Sequence, residues 1–340
     1  MARPPSGRSG RRLRLASRGS PLARLQAERV AARVRRARPD LEVAIEIVST
    51  RGDRLAQVPL AQIGGQGVFV KEVQAAVLDG RADLAVHSAK DLPPVTAPGL
   101  VLAAVPERQD PRDALVGRRL DQLGPGAVVA TGSARRRAQL ANLRPDLTFV
   151  ELRGNMATRL DRATDGTVAA VVVALAALAR LDWTARVAEV LSTVAMLPQV
   201  GQGALAVECR ADDDELRHVL ALVDDPPAHR AVSAERALLG ALGGSCSVPV
   251  AGLAVPTGSG LRLAGMVATG DGRSVVRAAL TGDRPEELGR RLAAHLLDDC
   301  GGRSVVDFGR DPGAARPTVT GQPGTGEPVS GEPGTGEPAR

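Results

Sequence analysis

The chain has 340 residues, 44% of them hydrophobic, and a net charge of +6. That is a globular composition with material for two or three packed domains. Cys209, Cys246 and Cys300 are odd in number, far apart and without CxxC spacing, which argues against a disulfide framework or a zinc site and favours a reducing compartment.

In chain order, residues 1–10 read as a disordered leader. The twin arginine at 11–12 is followed by no apolar h-region, and the longest uncharged apolar run, 168–179, is too short to cross a bilayer. The expectation is a cytoplasmic protein without a membrane partner. From Leu13 strands alternate with helices: "LRLAS", a helix opening at "SPLARLQAERVAARV", strand "VAIEIVS", helix "VFVKEVQAAVLDG", strand "LAVHS". Ser20 before Pro21 is a helix start, and Gly80 a stop. The same grammar resumes near Ala127, with strand "AVVAT", a helix capped by Ser133, strand "TFVEL", a helix capped by Asn155 and the apolar strand "AAVVVAL". Two such runs imply two α/β domains with predominantly parallel sheets. A helical stretch at 212–223 and the helix "PPAHRAVSAERALLGAL" lead to the loop "GALGGSCSVPV". Beyond it, "VPVAGLAV", "LRLAGMVA" and "SVVRAAL", closed by "PEELGRRLAAHLLDDC", suggest a small C-terminal α+β domain with an antiparallel sheet. The Gly/Pro/Thr/Glu tail has nothing to bury and reads as disordered.

Arginines recur where a strand ends and a capped helix begins. Arg18 stands beside Ser20, and Arg135 and Arg136 follow Ser133. Arg153 precedes a capped helix, Arg159 lies about a turn beyond it, and Arg180 follows the apolar strand. A helix N-terminus with guanidinium forks suits carboxylate or phosphate, so these residues point to a substrate with several carboxylates. The bases are 42 arginines against Lys71 and Lys90 alone, which marks the two lysines as candidates for a compact ammonium. In "AVHSAKDLPP", Lys90 and Asp91 stand at the carboxyl end of a strand, where open α/β sheets bind ligands; the alternative is a capped turn with a surface ion pair. "GGQGVFVKE" lacks the Walker Lys-Ser pair, so Gly64, Gly65 and Gly67 read as flexible points of a loop rather than a nucleotide cradle. The four histidines have no ligand spacing, and no metal site is visible. With no Tyr, one Trp and three Phe, stacking platforms for nucleic acid are lacking, although twelve arginines precede Pro39. Cys246, in a bare glycine-flanked loop, is either a packing residue or a functional thiol.

These motifs, together with "STRGD", "DPRDAL", "ELRGNMATRL" and "LPQVGQGALAVECR", occur in the order and spacing of the porphobilinogen deaminase family, which the chain resembles over residues 13–310. The resemblance implies a transferase of tetrapyrrole biosynthesis that joins four porphobilinogen molecules, with a dipyrromethane cofactor bound covalently through Cys246. It implies Asp91 as the catalytic residue, with Lys90, Ser133, Arg135 and Arg136 at the cofactor. Arg18, Gln26, Arg153, Arg159 and Arg180 would lie at the substrate, and Phe69 would join the loop glycines. It also implies two doubly wound α/β domains of the type II periplasmic-binding-protein kind, 11–108 with 204–224 and 109–203. A third domain, 225–310, would carry the cofactor cysteine, leaving 311–340 as the tail; the expected state is a monomer. Gln62 and Gln66 stand where lysines are common in the family, Gly132 where serine is common, and Ser245 where glycine is common. The alternative from another class is a non-catalytic solute-binding or ligand-sensing protein on the same two domains.

Overall fold

Leu13 and Leu15 bury one face of the first strand, β1 (Arg12–Arg18), while Ala16 buries the other, so this strand must lie inside a covered sheet. The computed structural model describes residues 12–54, 67–243 and 249–305. Helix α1 (Pro21–Ala37) starts where the sequence places it: Ser20 accepts from the Ala23 N–H at 3.3 Å, and Ala27, Val30, Ala31 and Val34 form its buried stripe. β2 (Glu42–Val48), the short helix α2 (Arg51–Arg54), α3 (Lys71–Leu78) and β3 (Leu84–Ser88) follow. The helix expected from Val68 begins at Lys71, because Val70 and Lys71 first close a turn onto the Gly67 carbonyl.

The first sheet has the order β2-β1-β3-β10-β4, with β4 at Leu100–Ala104 and β10 at Leu205–Arg210. β1, β2 and β3 are mutually parallel, and β10 runs against both β3 and β4. The second sheet repeats the pattern as β7-β6-β8-β5-β9, built from β5 (Asp113–Gly117), β6 (Val128–Ala130), β7 (Thr148–Val150), β8 (Ala170–Ala174) and β9 (Glu189–Val190). Here β5 is the reversed strand. Four strands in each sheet point one way and one points back, which is the mixed arrangement of the type II periplasmic-binding-protein fold. The reversed strands are the two that enter from the opposite unit. β5 follows the crossing 105–112, and β10 follows the return crossing 191–204, so the same step that joins the units also completes each sheet.

The two crossings are laced together. Gln109 N–H donates to the Gly203 carbonyl at 3.2 Å, Arg108 Nε to the Gln202 carbonyl at 2.9 Å, and Gln202 Nε2 to the Pro111 carbonyl at 2.7 Å. Gly203 is obligatory there: its φ is +88°, and a Cβ would come within 2.3 Å of the Gln109 oxygen.

Helix α4 (Ala134–Leu143) is capped by Ser133 and α5 (Met156–Thr164) by Asn155; α6 (Leu175–Arg180) follows β8 directly. Arg180 therefore lies one helical segment past the strand rather than at its end, because the apolar run divides into β8 and α6. After α7 (Asp214–Ala221) and α8 (Pro226–Ala241), the strands β11 (Val250–Thr257), β12 (Gly260–Ala268) and β13 (Val275–Gly282) form an antiparallel sheet. α8, with Leu242 just past its end, and α9 (Pro285–Ala294) cover it through Leu238, Leu242, Leu288 and Leu292. No helix among the described residues is long and apolar enough to cross a membrane. The leader 1–10, Gly64, Gly65, Cys246 and the tail 311–340 lie outside the described residues.

Candidate active site

β3 is buried up to its last residue, apolar from Leu84 to Val86, then turns at once into a 3-10 segment, Ala89–Asp91. Polar side chains are thus delivered at the edge of a hydrophobic sheet, where the chain cannot continue as strand. The turn is fixed on several sides. Ala89 N–H donates to the Ala204 carbonyl at 3.0 Å, and Gln199 Nε2 to the Lys90 carbonyl at 3.3 Å. Gln26, buried on α1, donates from Nε2 to Ser88 Oγ at 2.9 Å. Gly201, at φ +72°, packs so closely that a Cβ would lie 2.9 Å from Ala89 C and Lys90 N. The return crossing and the Lys90–Asp91 turn therefore cannot move independently.

Around this turn the charges are mostly positive. Burial and the neighbouring Arg136 push the half-buried Lys90 ammonium down to about 8, against the pull of Asp91 and Asp113. Burial first, then Arg136 and Arg153, lowers Arg159, and Asp91 opposes them. Arg180, 7% exposed, is lowered to about 10 by burial and by Arg29, with Asp91 again opposing; its Nη2 donates to the Gly203 carbonyl at 2.7 Å. Asp91 is thus the anionic centre felt by Lys90, Arg159 and Arg180. A carboxylate among cations in a partly dry setting can exchange a proton with, or stabilise positive charge on, a bound nitrogen base.

Arg135 and Arg136 point inward from the first turn of α4, and both are buried. Their partner is Asp113, which begins β5 and is fully buried: Arg135 Nη1 and Arg136 Nη2 each lie 2.8 Å from one of its oxygens. Gln202 Nε2 donates to the same carboxylate at 2.9 Å. Burial alone would raise Asp113, but the two guanidinium groups and Gln202 hold it at about 2. Arg135 also donates to the Leu197 carbonyl and Arg136 to that of Val172. Arg135 Nε and Nη2 and Arg180 Nε are buried donors with no hydrogen-bond acceptor among the described residues. Such donors suit a carboxylate.

Of the sequence-predicted residues, Lys90, Asp91, Arg135, Arg136, Arg153, Arg159 and Arg180 share this electrostatic neighbourhood, with Ser133 capping the helix of Arg136 and Gln26 beneath the turn. Arg153 is partly engaged by Glu151 at 3.1 Å. Arg18 is occupied elsewhere: it pairs with Asp53 and lies 4.1 Å over the Phe69 ring. Gly67 is at the base of the glycine loop with φ +75°. Sequence reasoning missed Asp113, Gln202, Asp53 and Arg29. All four lie inside quoted stretches, but only the fold reveals what they face. Cys209 is buried in β10 and its thiol is pushed up to about 11 by burial, so it is a packing residue.

The fold and this cluster define a two-lobed α/β protein of the type II binding-protein class, with a cationic site around one carboxylate. The particular family follows from comparison with known proteins. Residues 13–218 match the family model described as "Porphobilinogen deaminase, dipyromethane cofactor binding domain", and residues 229–298 match "Porphobilinogen deaminase, C-terminal domain". The chain belongs to the porphobilinogen deaminase family. Porphobilinogen deaminase of Acidothermus cellulolyticus is 48% identical over 333 residues, covering 93% of this chain and 97% of that protein. The Bacillus subtilis enzyme is 42% identical over 302 residues, 87% and 96% of the two chains. Among solved structures, YhfZ from Shigella flexneri is similar with a TM-score of 0.34 and 19% identity, covering 69% of this chain and 99% of that one. The chain is accordingly a transferase, and dipyrromethane is its family's cofactor. The solute-binding alternative is not favoured.

Proposed function

We propose that the chain is a hydroxymethylbilane synthase, and that Asp91 is its catalytic residue. A dipyrromethane held through Cys246 and by Lys90, Ser133, Arg135 and Arg136 supplies the pyrrole end onto which four porphobilinogen molecules are joined head to tail with loss of ammonia, the linear tetrapyrrole then leaving by hydrolysis. Arg18, Gln26, Arg153, Arg159 and Arg180 bind and orient the acetate and propionate groups of the incoming substrate. Asp91 stabilises positive charge at a pyrrole nitrogen and relays its proton. Gly64, Gly65, Gly67 and Phe69 belong to a loop over the site, and the crossings 105–112 and 191–204 form the hinge that makes room for a lengthening chain. The working form is a cytoplasmic monomer. The observation that carries this reading is Asp91 on the turn after β3, where its charge acts on Lys90, Arg159 and Arg180.

Incubation with porphobilinogen tests it, with ammonia release and tetrapyrrole formation as readouts. The unaltered chain should consume the substrate and carry an adduct mass on the Cys246 peptide. Asp91→Ala should lose at least about 100-fold in kcat, and Cys246→Ala should lack both adduct and activity. Full activity in either variant overturns the role assigned to that residue.

A further inference from the structure

Strand β10 reads Leu-Ala-Val-Glu-Cys-Arg, and its one acidic side chain, Glu208, is fully buried. The register places Ala206 opposite His87 and Glu208 opposite Ala85, so His87 and Glu208 stand diagonally on one face of the first sheet. His87 Nε2 lies 3.3 Å from Glu208 Oε2, close enough for attraction though not aligned as a hydrogen bond. Gln74, from α3, donates to the same oxygen at 2.9 Å. Arg236 of α8, 7% exposed, donates from Nη2 to Thr96 Oγ1 at 3.1 Å in the loop beyond the Asp91 turn, and its guanidinium is sensitive to the charge of Glu208. None of these residues has a part in the chemistry derived above.

A buried polar cluster is a weak device for stability, since packed apolar side chains serve as well or better. What it adds is direction, because each partner must sit at a fixed place around one carboxylate. The elements it ties together are the ones that matter. His87 is four residues before Asp91 on the strand that delivers it. α3 follows Gly67 and Phe69. β10 emerges from the crossing whose Gly201 abuts Ala89 and Lys90. α8 ends at Ala241, five residues before Cys246. α8 also packs beside the turn, Ala228 and Val232 sharing one apolar cluster with Ala89 and Leu92.

We propose that Glu208, with His87 and Arg236, is a positioning centre that holds the Asp91 turn in register with the helix leading to Cys246. This rests on the roles proposed above for Asp91 and Cys246. Glu208 touches no substrate, so its loss should act on the rate of the reaction and not on binding.

The test compares Glu208→Gln, which keeps the shape and removes the charge, with the unaltered holoprotein and Asp91→Ala. Glu208→Gln should retain the adduct mass, lose at least about tenfold in kcat, and keep KM for porphobilinogen within about twofold. Glu208→Asp, with the charge restored at shorter reach, should recover part of the rate. Independently of turnover, amide hydrogen exchange at Ala89–Asp91 should accelerate at least about tenfold in Glu208→Gln while β6 and β8 stay protected. If Glu208→Gln does not fold, Gln74→Met removes one hydrogen bond and leaves the charge; it should lower kcat about threefold with KM unchanged. A folded, loaded variant with unaltered kcat, or with unaltered exchange at the turn, overturns the inference. Failure of the unaltered chain to consume porphobilinogen would instead overturn the proposed function, so the two failures are distinct.

Discussion

Both α/β units place arginine beside a serine-capped helix, yet the two sites are unlike. At the first, the Arg18 side chain is 23% exposed and pairs with Asp53 from the four-residue helix α2. At the second, the Arg135 side chain is 3% exposed and is locked, with Arg136, onto the fully buried Asp113. The difference comes from what arrives over each helix start. In the second unit it is β5, a sheet strand entering from the first crossing and carrying Asp113 at its first position. In the first unit it is a short segment outside the sheet. A helix N-terminus with a guanidinium group therefore supplies the means of holding an anion, while the topology decides whether a protein carboxylate has already taken it.

The largest effect expected from this contrast is at Asp113. Asp113→Ala leaves two buried guanidinium groups without their carboxylate and should cost about 3–5 kcal/mol of stability, read from denaturant unfolding. The pair also predicts an acid limb. Asp113 is held below the ordinary carboxylate value of 3.8, at about 2, so its contribution is complete above that ordinary value and is lost as pH falls through about 2. Unfolding measured from pH 5 to 2 should show this loss in the unaltered chain and a flatter limb in Asp113→Asn. Equal limbs in the two proteins would mean that Asp113 is not the counter-ion of these arginines.

This pairing also marks where the sequence stopped being legible. Periodicity and capping residues located the helices at Ser20, Ser133 and Asn155, and the ordered motifs were sufficient for the family. The cationic character of the site was legible from arginines at junctions. Their partners were not, because Asp113 and Gln202 meet across 89 positions of chain. Asp113 begins the five-residue strand β5 and Gln202 lies in the return crossing just before β10, so only the two crossings explain why they meet. Arg180 shows the same limit: an unbroken apolar run gave no sign of dividing into β8 and α6. Glu208 stood in a quoted motif, but nothing local in "AVECR" says that its side chain faces His87.

Lys90 sharpens the contrast at the contact between the two units. Its ammonium is held at about 8 by burial and Arg136. A lysine depressed from 10.5 carries its full penalty below pH 8, where folded and unfolded chains are both protonated. Between about 8 and 10.5 the folded chain sheds a proton that the unfolded chain keeps, so stability should rise through that window. Binding has the opposite trend: an anionic ligand favours the charged ammonium, so above pH 8 it must bind together with a proton. The non-covalent hold of Lys90 on the anionic dipyrromethane should therefore weaken by up to about tenfold per pH unit above 8, read as the difference in stability between loaded and unloaded protein. Lys90→Gln should remove both trends, and a pH profile unchanged in that variant would show that another group is responsible.

The smallest effect lies at Arg18. Asp53 is held below its ordinary value by Arg18 and Thr50 acting against burial, but both members of the Arg18–Asp53 pair reach solvent, so screening limits what the pair contributes to folding. Asp53→Asn should shift stability by less than about 1 kcal/mol, against several for Asp113→Ala. Its effect should appear instead in binding. The Arg18 fork is shared between Asp53 and the Phe69 ring, and removing the acidic competitor leaves that fork to a substrate carboxylate while the stacking stays. KM for porphobilinogen should fall by about two- to threefold at low salt, and the gain should shrink as ionic strength rises, because screening weakens exposed pairs most. A rise in KM would mean that Asp53 orients Arg18 for the substrate rather than competing with it, and the two helix starts would then be alike in having their arginines set in place by a carboxylate.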